Sequence, residues 1–279
     1  MIKSFALFLM TIIVVSCGTN EEDNNNESTT NHFVNWYKTS YNIRHTEDGT
    51  EVYRYKYSFD SQGREIGYEA YSHNILSFKH TNYQYDNLNV TYIAHYCTNG
   101  IPSQTTKMKD CYIDDNYIKK STHIQYTEDG TETLKELYSY DSEGREISHE
   151  TYYYGKISSK RMNYKYDGLN CTYDEVNYDY NTGVERLQCR VKCTYLDSHY
   201  VKMKFYAQYT EDGSETFKSE STYDSAGRKT GTSTYYNKIL SSKSQDYNYE
   251  NETATYKDIT YSNGNVESVL NMKDVYHNR

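Results

Sequence analysis

The sequence has one proline, Pro102, and one tryptophan among 279 residues. Proline breaks a sheet ladder except at edges and bulges, so its near absence leaves long uninterrupted strands open. Aliphatic material is also scarce. Hydrophobic residues make up 36% of the chain, and 36 tyrosines supply about a third of them. Even with glycine added, the apolar share is about 41%, against a usual 45–50%. A thick aliphatic core is therefore not expected. Basic residues are outnumbered, with 30 Lys and Arg against 39 Asp and Glu and a net charge of −9. Phosphate binding needs clustered cations, so this balance argues against a nucleic-acid partner.

Chemical motifs are missing too. No GxSxG elbow, P-loop, GxGxxG or HExxH occurs, the nine histidines are scattered, and no Cys/His spacing suits zinc. The carboxylates of "TEDGTE" (Glu47, Asp48, Glu51) lack the alternating oxygen ligands and distal Glu of a calcium loop. They read as a solvated hairpin turn. The expectation is a protein without cofactor, metal or catalytic activity.

At the N-terminus, Lys3 precedes an apolar run, "FALFLMTIIVV" (residues 5–15), that is too short to span a membrane comfortably. It ends in "VVSC", Val14 to Cys17. This resembles the lipobox of bacterial lipoproteins. The resemblance implies that residues 1–16 are a signal peptide and that Cys17 is the acylated first residue of the mature chain. Several acyl chains on Cys17 would anchor the protein stably, each buried CH₂ contributing about 0.8 kcal/mol. Residues 17–31 then form an acidic tether without apolar anchors, and such composition cannot order itself. Its cluster Glu21, Glu22 and Asp23 is similar to the export signal of Bacteroidota lipoproteins, which implies the outer face of the outer membrane.

Five cysteines remain beyond Cys17, an odd number that cannot all pair within the chain. If the hairpin at "NTG" (residues 181–183) is centred on Thr182, Cys171 and Cys193 fall opposite one another, at a separation a disulfide can bridge.

Residues 32–279 are repetitive. "TEDG" begins at Thr46, Thr127 and Thr210, and each copy precedes a D-S-x-G-R element: "YSFDSQGREI", "YSYDSEGREI" and "STYDSAGRKT". Next come "YDNLNVTY", "YDGLNCTY" and "YENETATY", then a turn carrying Asn and Gly. Four ordered landmarks in three segments define an internal repeat. The units cover approximately residues 37–118, 119–201 and 202–279, about 82 residues each. Within each unit, turn residues recur every 11–14 positions. Between them the chain alternates, as in "EVYRYKYSFD", which puts Tyr53, Tyr55, Tyr57 and Phe59 on one face. Period two with aromatic residues signals strands, and no window shows the spacing of a long amphipathic helix. The fold class expected is all-β, a long twisted antiparallel β-meander of about 18 strands.

The D-S-x-G-R element resembles the YD-repeat of the RHS family. The motif lies on Asp60 with Gly63-Arg64, Asp141 with Gly144-Arg145, and Asp224 with Gly227-Arg228. Asp closes the turn, Gly takes a left-handed conformation, and Arg can pair across the hairpin with a carboxylate. The resemblance implies curling β-sheets. The chain departs from large family members in having three full copies and no toxin tail. Small Bacteroidota lipoproteins with Tyr-rich repeats match it more closely.

The tyrosine stripes either pack the sheet or form an exposed ladder for sugar rings and extended peptides. These readings together predict a surface-exposed, lipid-anchored outer-membrane protein with a non-catalytic role in recognising a glycan or another protein. The alternative, carried only by the RHS-like turns, is an immunity or accessory factor in interbacterial antagonism.

Overall fold

A computed structural model describes residues 39–114, 117, 119–198, 200 and 202–276. Cys17, Glu21, Glu22 and Asp23 lie outside the described residues. Among those described there are eighteen β-strands and no helix. The first six are β1 (Thr39–Thr46), β2 (Glu51–Phe59), β3 (Glu65–Ser72), β4 (Ile75–Asp86), β5 (Asn89–Thr98) and β6 (Ile101–Tyr112). The next six are β7 (Lys120–Tyr126), β8 (Glu132–Tyr140), β9 (Glu146–Tyr153), β10 (Lys156–Asp167), β11 (Asn170–Tyr178) and β12 (Glu185–Tyr195). The last are β13 (Met203–Tyr209), β14 (Glu215–Tyr223), β15 (Lys229–Tyr236), β16 (Ile239–Glu250), β17 (Thr253–Ser262) and β18 (Asn265–Tyr276).

Each strand pairs antiparallel with the next, and β18 returns to pair with β1 through Asn42↔Asp274 and Arg44↔Met272. The meander is therefore closed into a barrel. Closure satisfies the unpaired N–H and C=O rows that an open sheet of this length would present at its edges.

The turns follow from their residues. Asp60 Oδ1 accepts the N–H groups of Gln62 and Arg64, both at 2.9 Å, and Gly63 sits at φ 70°. Arg64 Nε donates to Asp60 Oδ2 at 2.7 Å. The same bond joins Arg145 to Asp141 and Arg228 to Asp224, each at 2.7 Å. The arginine thus pairs with the aspartate of its own turn, not across the hairpin as the sequence suggested. The reason is length: four residues around a left-handed glycine bring Nε back onto the carboxylate. The freed face of the guanidinium lies over a tyrosine, 4.6 Å from Tyr85, 4.9 Å from Tyr166 and 4.8 Å from Tyr249. Those three hydroxyls donate to the backbone oxygens of Glu65, Glu146 and Lys229 at 2.6, 2.7 and 2.6 Å.

A second recurring device is a bulge in β4, β10 and β16. Asn82, Asn163 and Asp246 take φ of 57°, 59° and 60°, a conformation short polar side chains tolerate. The register slips beside each of them. One extra residue reverses the in–out alternation. His80 and Tyr83, three positions apart, therefore share a face, and Tyr83 stacks on Tyr92 at 4.8 Å. Tyr164–Tyr173 and Tyr247–Tyr256 repeat the stack at 4.7 and 4.4 Å.

Candidate functional site

The two faces of the wall differ. Along β5, Val90, Tyr92 and Ala94 are buried while Thr91 is exposed. In a closed sheet the buried set faces inward. Following the register from Tyr92 round the barrel places the tyrosine stripes on the inside. The stripes that hold Tyr57, Tyr68 and Tyr92 therefore face inward, while Tyr71, Tyr152 and Tyr235 stand on the outer face beside Arg54, Glu150 and Lys218. Water is the physical reason: tyrosine is the main apolar material this chain has, and the inner face shields most of it from solvent.

The outer face carries charge. Lys56–Glu69, Lys160–Glu150, Lys218–Glu220 and Arg190–Asp174 approach within 3.6, 2.7, 3.4 and 3.8 Å. A membrane-spanning barrel presents an apolar band to lipid, with polar residues inside. Here ion pairs stand on the outer face where that band would lie.

Three stretches of the inner wall differ in their chemistry. The first, on β2 to β5, is aromatic. Tyr57–Tyr68, Tyr68–Phe78, Phe78–His80 and His80–Tyr92 have ring centroids 4.8, 5.9, 4.9 and 4.7 Å apart.

The second stretch, on β6 to β11, is charged. Asp110, His123, Glu136, His149, Arg161 and Glu175 come from six consecutive strands, through the pairs Asp110↔His123, His123↔Glu136, His149↔Arg161 and Arg161↔Glu175. Asp110 meets His123 Nδ1 at 2.5 Å and Lys120 Nζ at 2.7 Å, and Tyr92 donates to it at 3.3 Å. Burial opposes the charge on Asp110, but His123 and Lys120 outweigh it and hold its pKa at about 2. Burial likewise opposes the charge on Glu136, and His149 and His123 overcome it to lower that pKa. Tyr138 stacks on His149 at 4.2 Å. His149 Nε2 lies 3.7 Å from Glu136 Oε1 and, although buried, has no hydrogen-bond partner among the described residues.

The third stretch, on β14 to β16, is lined by hydroxyls. Ser221 lies 3.1 Å from Thr232, and Ser244 donates to Asp258 at 2.5 Å. At the closing strands, Asn42 donates to Asp274, whose pKa is raised to about 6 chiefly by burial. Such a wall can stack on a flat apolar face and hydrogen-bond a polyhydroxylated one. Sequence reasoning missed the charged row, although its members Asp110, His123, Glu136 and His149 stand 13 residues apart, one strand and turn each.

The turn residues singled out from the sequence lie at the barrel end that holds the termini and build no pocket with this row. Cys171 and Cys193 stand opposite each other on β11 and β12, both buried. They are nevertheless free thiols in the structure, not a disulfide. Each is held as a small apolar group among Tyr173, Val191 and Tyr195. At the TEDG tips, Asp48 Oδ1 accepts from Thr46 Oγ1 at 2.5 Å and from Thr50 N–H at 3.0 Å, so the carboxylate is used within its own turn.

No protein-family model and no curated protein matches the chain. Among solved structures, a porin-like protein from Bacteroides uniformis ATCC 8492 is similar at a TM-score of 0.42 and 12% identity, over 86% of this chain and 96% of that one. A protein of unknown function from Bacteroides fragilis NCTC 9343 reaches 0.30 and 12%, over 37% and 81%. Overlaps this loose do not establish a common fold. The likeness to YD-repeats rests on the Gly-Arg turns alone.

Proposed function

We propose that this protein is an outer-membrane lipoprotein, held at the cell surface through Cys17, whose barrel is a non-catalytic receptor for a glycan admitted to its interior. "VVSC" and the acidic residues after it support the anchor and the address. The charged outer wall supports a barrel that stands in water, so that a lipid would be its hold on the membrane.

One observation carries the recognition role. Equivalent inward positions hold Tyr57, Tyr68 and His80 in the first six strands, Tyr138, His149 and Arg161 in the second, and Ser221, Thr232 and Ser244 in the third. A wall needed only for packing has no reason to exchange rings for charges and then hydroxyls at equivalent positions, over tyrosine stacks kept in every unit. A sugar uses all three, stacking its C–H face on rings and giving its hydroxyls to carboxylates, imidazoles and hydroxyls.

Calorimetry with neutral and acidic oligosaccharides on the chain made without its first 17 residues tests this. Tyr57→Ala and His149→Ala should each weaken binding about tenfold, the cost of one good contact, while Lys56→Ala on the outer wall leaves it unchanged. The reading fails if no oligosaccharide binds, or if the inner-wall variants bind like the parent.

A further inference from the structure

The two ends of the barrel are chemically unlike. β1 begins and β18 ends side by side at one end, through Thr39↔Tyr276. At the other end nine hairpins form a rim, and their composition follows a period of three. The hairpins β1–β2, β7–β8 and β13–β14 have acidic Thr-Glu-Asp-Gly tips. Between them lie Ile75 and Ile101, then Tyr154 and Val184, then Ile239 and Val266, each 51–70% exposed. At the opposite end the exposed large hydrophobics among the described residues are Ile66, Ile113 and Ile147, none above 48%.

Separated single apolar residues on a surface need no explanation, but a ring of them at one end does. The acidic tips restrict what covers it. Asp48, Asp129 and Asp212 each accept a bond from a threonine hydroxyl, which, more than any other contact, lowers their pKa and keeps them charged. Beside them Glu47, Glu128 and Glu211 are exposed. Six carboxylates between apolar pairs repel an anionic bilayer. Rim against rim, two copies of this chain would bring the six tip carboxylates of each together, offset only in part by the exposed Lys156 and Lys238 of the intervening hairpins, so like charge opposes that arrangement. A surface with cations flanking apolar groups satisfies both components of the rim. We propose that this rim is a docking surface for a protein presenting Lys or Arg beside apolar side chains.

The probe is an amphipathic peptide made only of Leu and Lys, with binding followed by fluorescence anisotropy. Ile101→Ser/Tyr154→Ser/Ile239→Ser and, separately, Glu47→Gln/Glu128→Gln/Glu211→Gln should each weaken binding about tenfold, as expected when a few anchors dominate an interface. Ile66→Ser/Ile147→Ser at the other end should not, and a Leu/Ser peptide should bind more weakly than Leu/Lys. Circular dichroism verifies that each variant keeps its β signature. Rim variants that bind like the parent overturn the proposal. So does rim-dependent binding to phosphatidylglycerol vesicles, which would make the occupant a membrane, or rim-dependent self-association in sedimentation, which would make it a second copy.

Discussion

Asp110 Oδ1 and His123 Nδ1 lie 2.5 Å apart across the junction of β6 and β7. The equivalent junctions are filled differently, by Cys193 opposite Tyr206 and by Asp274 opposite Asn42. Of Asp110, Cys193 and Asp274, Asp110 is the one with a lysine against it, Lys120 at 2.7 Å, and at 2% exposure it has little water to fall back on.

Asp110→Asn should therefore lower stability by about 3 kcal/mol, because it leaves Lys120 and His123 without their carboxylate. The pH dependence follows from the depressed folded-state pKa, about 2 against 3.8. The carboxylate's contribution is complete above 3.8 and is lost as pH falls through about 2. Urea midpoints of the parent should drop across that window and those of Asp110→Asn should drop less. Parallel profiles would refute the assignment.

Asp274 has the opposite sign. Its folded-state pKa is raised to about 6, first by burial, so its protonated form is the one the fold favours. Its stabilising contribution is complete below 3.8 and disappears as pH rises through about 6. It faces Asn42, Arg44, Tyr256 and Asp258, and Lys229 nearby is itself pushed down by burial. Asp274→Asn keeps an oxygen to accept from Asn42. It should raise stability on the order of 2 kcal/mol at pH 8 and by little at pH 3.5. A variant less stable than the parent at both pH values would mean that the ionised carboxylate is held favourably.

The strands were legible because tyrosine alternation and turn residues are local signals, and so was the register that opposes Cys171 and Cys193. Closure was not, since nothing in "YNIR" (residues 41–44) or "NMKD" (residues 271–274) marks them as partners 230 residues apart. Nor was the direction of the tyrosine stripe, because a period of two says that a strand has two faces without saying which one is enclosed. The charged row was hidden for a related reason. His123 and His149 share no motif in sequence, and they meet Asp110 and Glu136 only once neighbouring strands are in register.

The free thiols make a simple prediction. Cys171, Cys189 and Cys193 are buried, whereas Cys97 and Cys111 are partly exposed. Burial raises the Cys189 pKa to about 11, which further suppresses its thiolate. A thiol reagent should label Cys97 and Cys111 in the native barrel and the other three only on unfolding. A native mass 2 Da below the fully reduced value would instead show one disulfide, with Cys171–Cys193 the pair to test.

The anchor is tested at Cys17. Cys17→Ala should release the protein from the membrane fraction, and labelled palmitate should enter the parent but not the variant. A parent that never takes up the label has no acyl anchor.

The Gly-Arg turns test how closure distributes stability. An open array would make damage at Gly227, in its last unit, less costly than damage at Gly144 in the middle. The pairing of β18 with β1 removes that distinction, because no unit is at an end. Both glycines need a left-handed conformation, at φ 72° and 70°, so Val at either site should cost about 1 kcal/mol or more. The remaining difference is local. A Cβ on Gly144 would come within 2.8 Å of Lys119 Nζ, which donates to the Gly144 carbonyl at 2.6 Å, so that bond must shift. A Cβ on Gly227 meets Leu196 at an ordinary 3.9 Å. Gly144→Val should be the more damaging by the loss of one hydrogen bond, about 1 kcal/mol, and both variants should unfold in a single transition. Adding Lys119→Ala to each tests the cause, since it should abolish the difference between them. A difference that persists without Lys119, or a separate early transition for either variant, would show that the units of the barrel unfold independently.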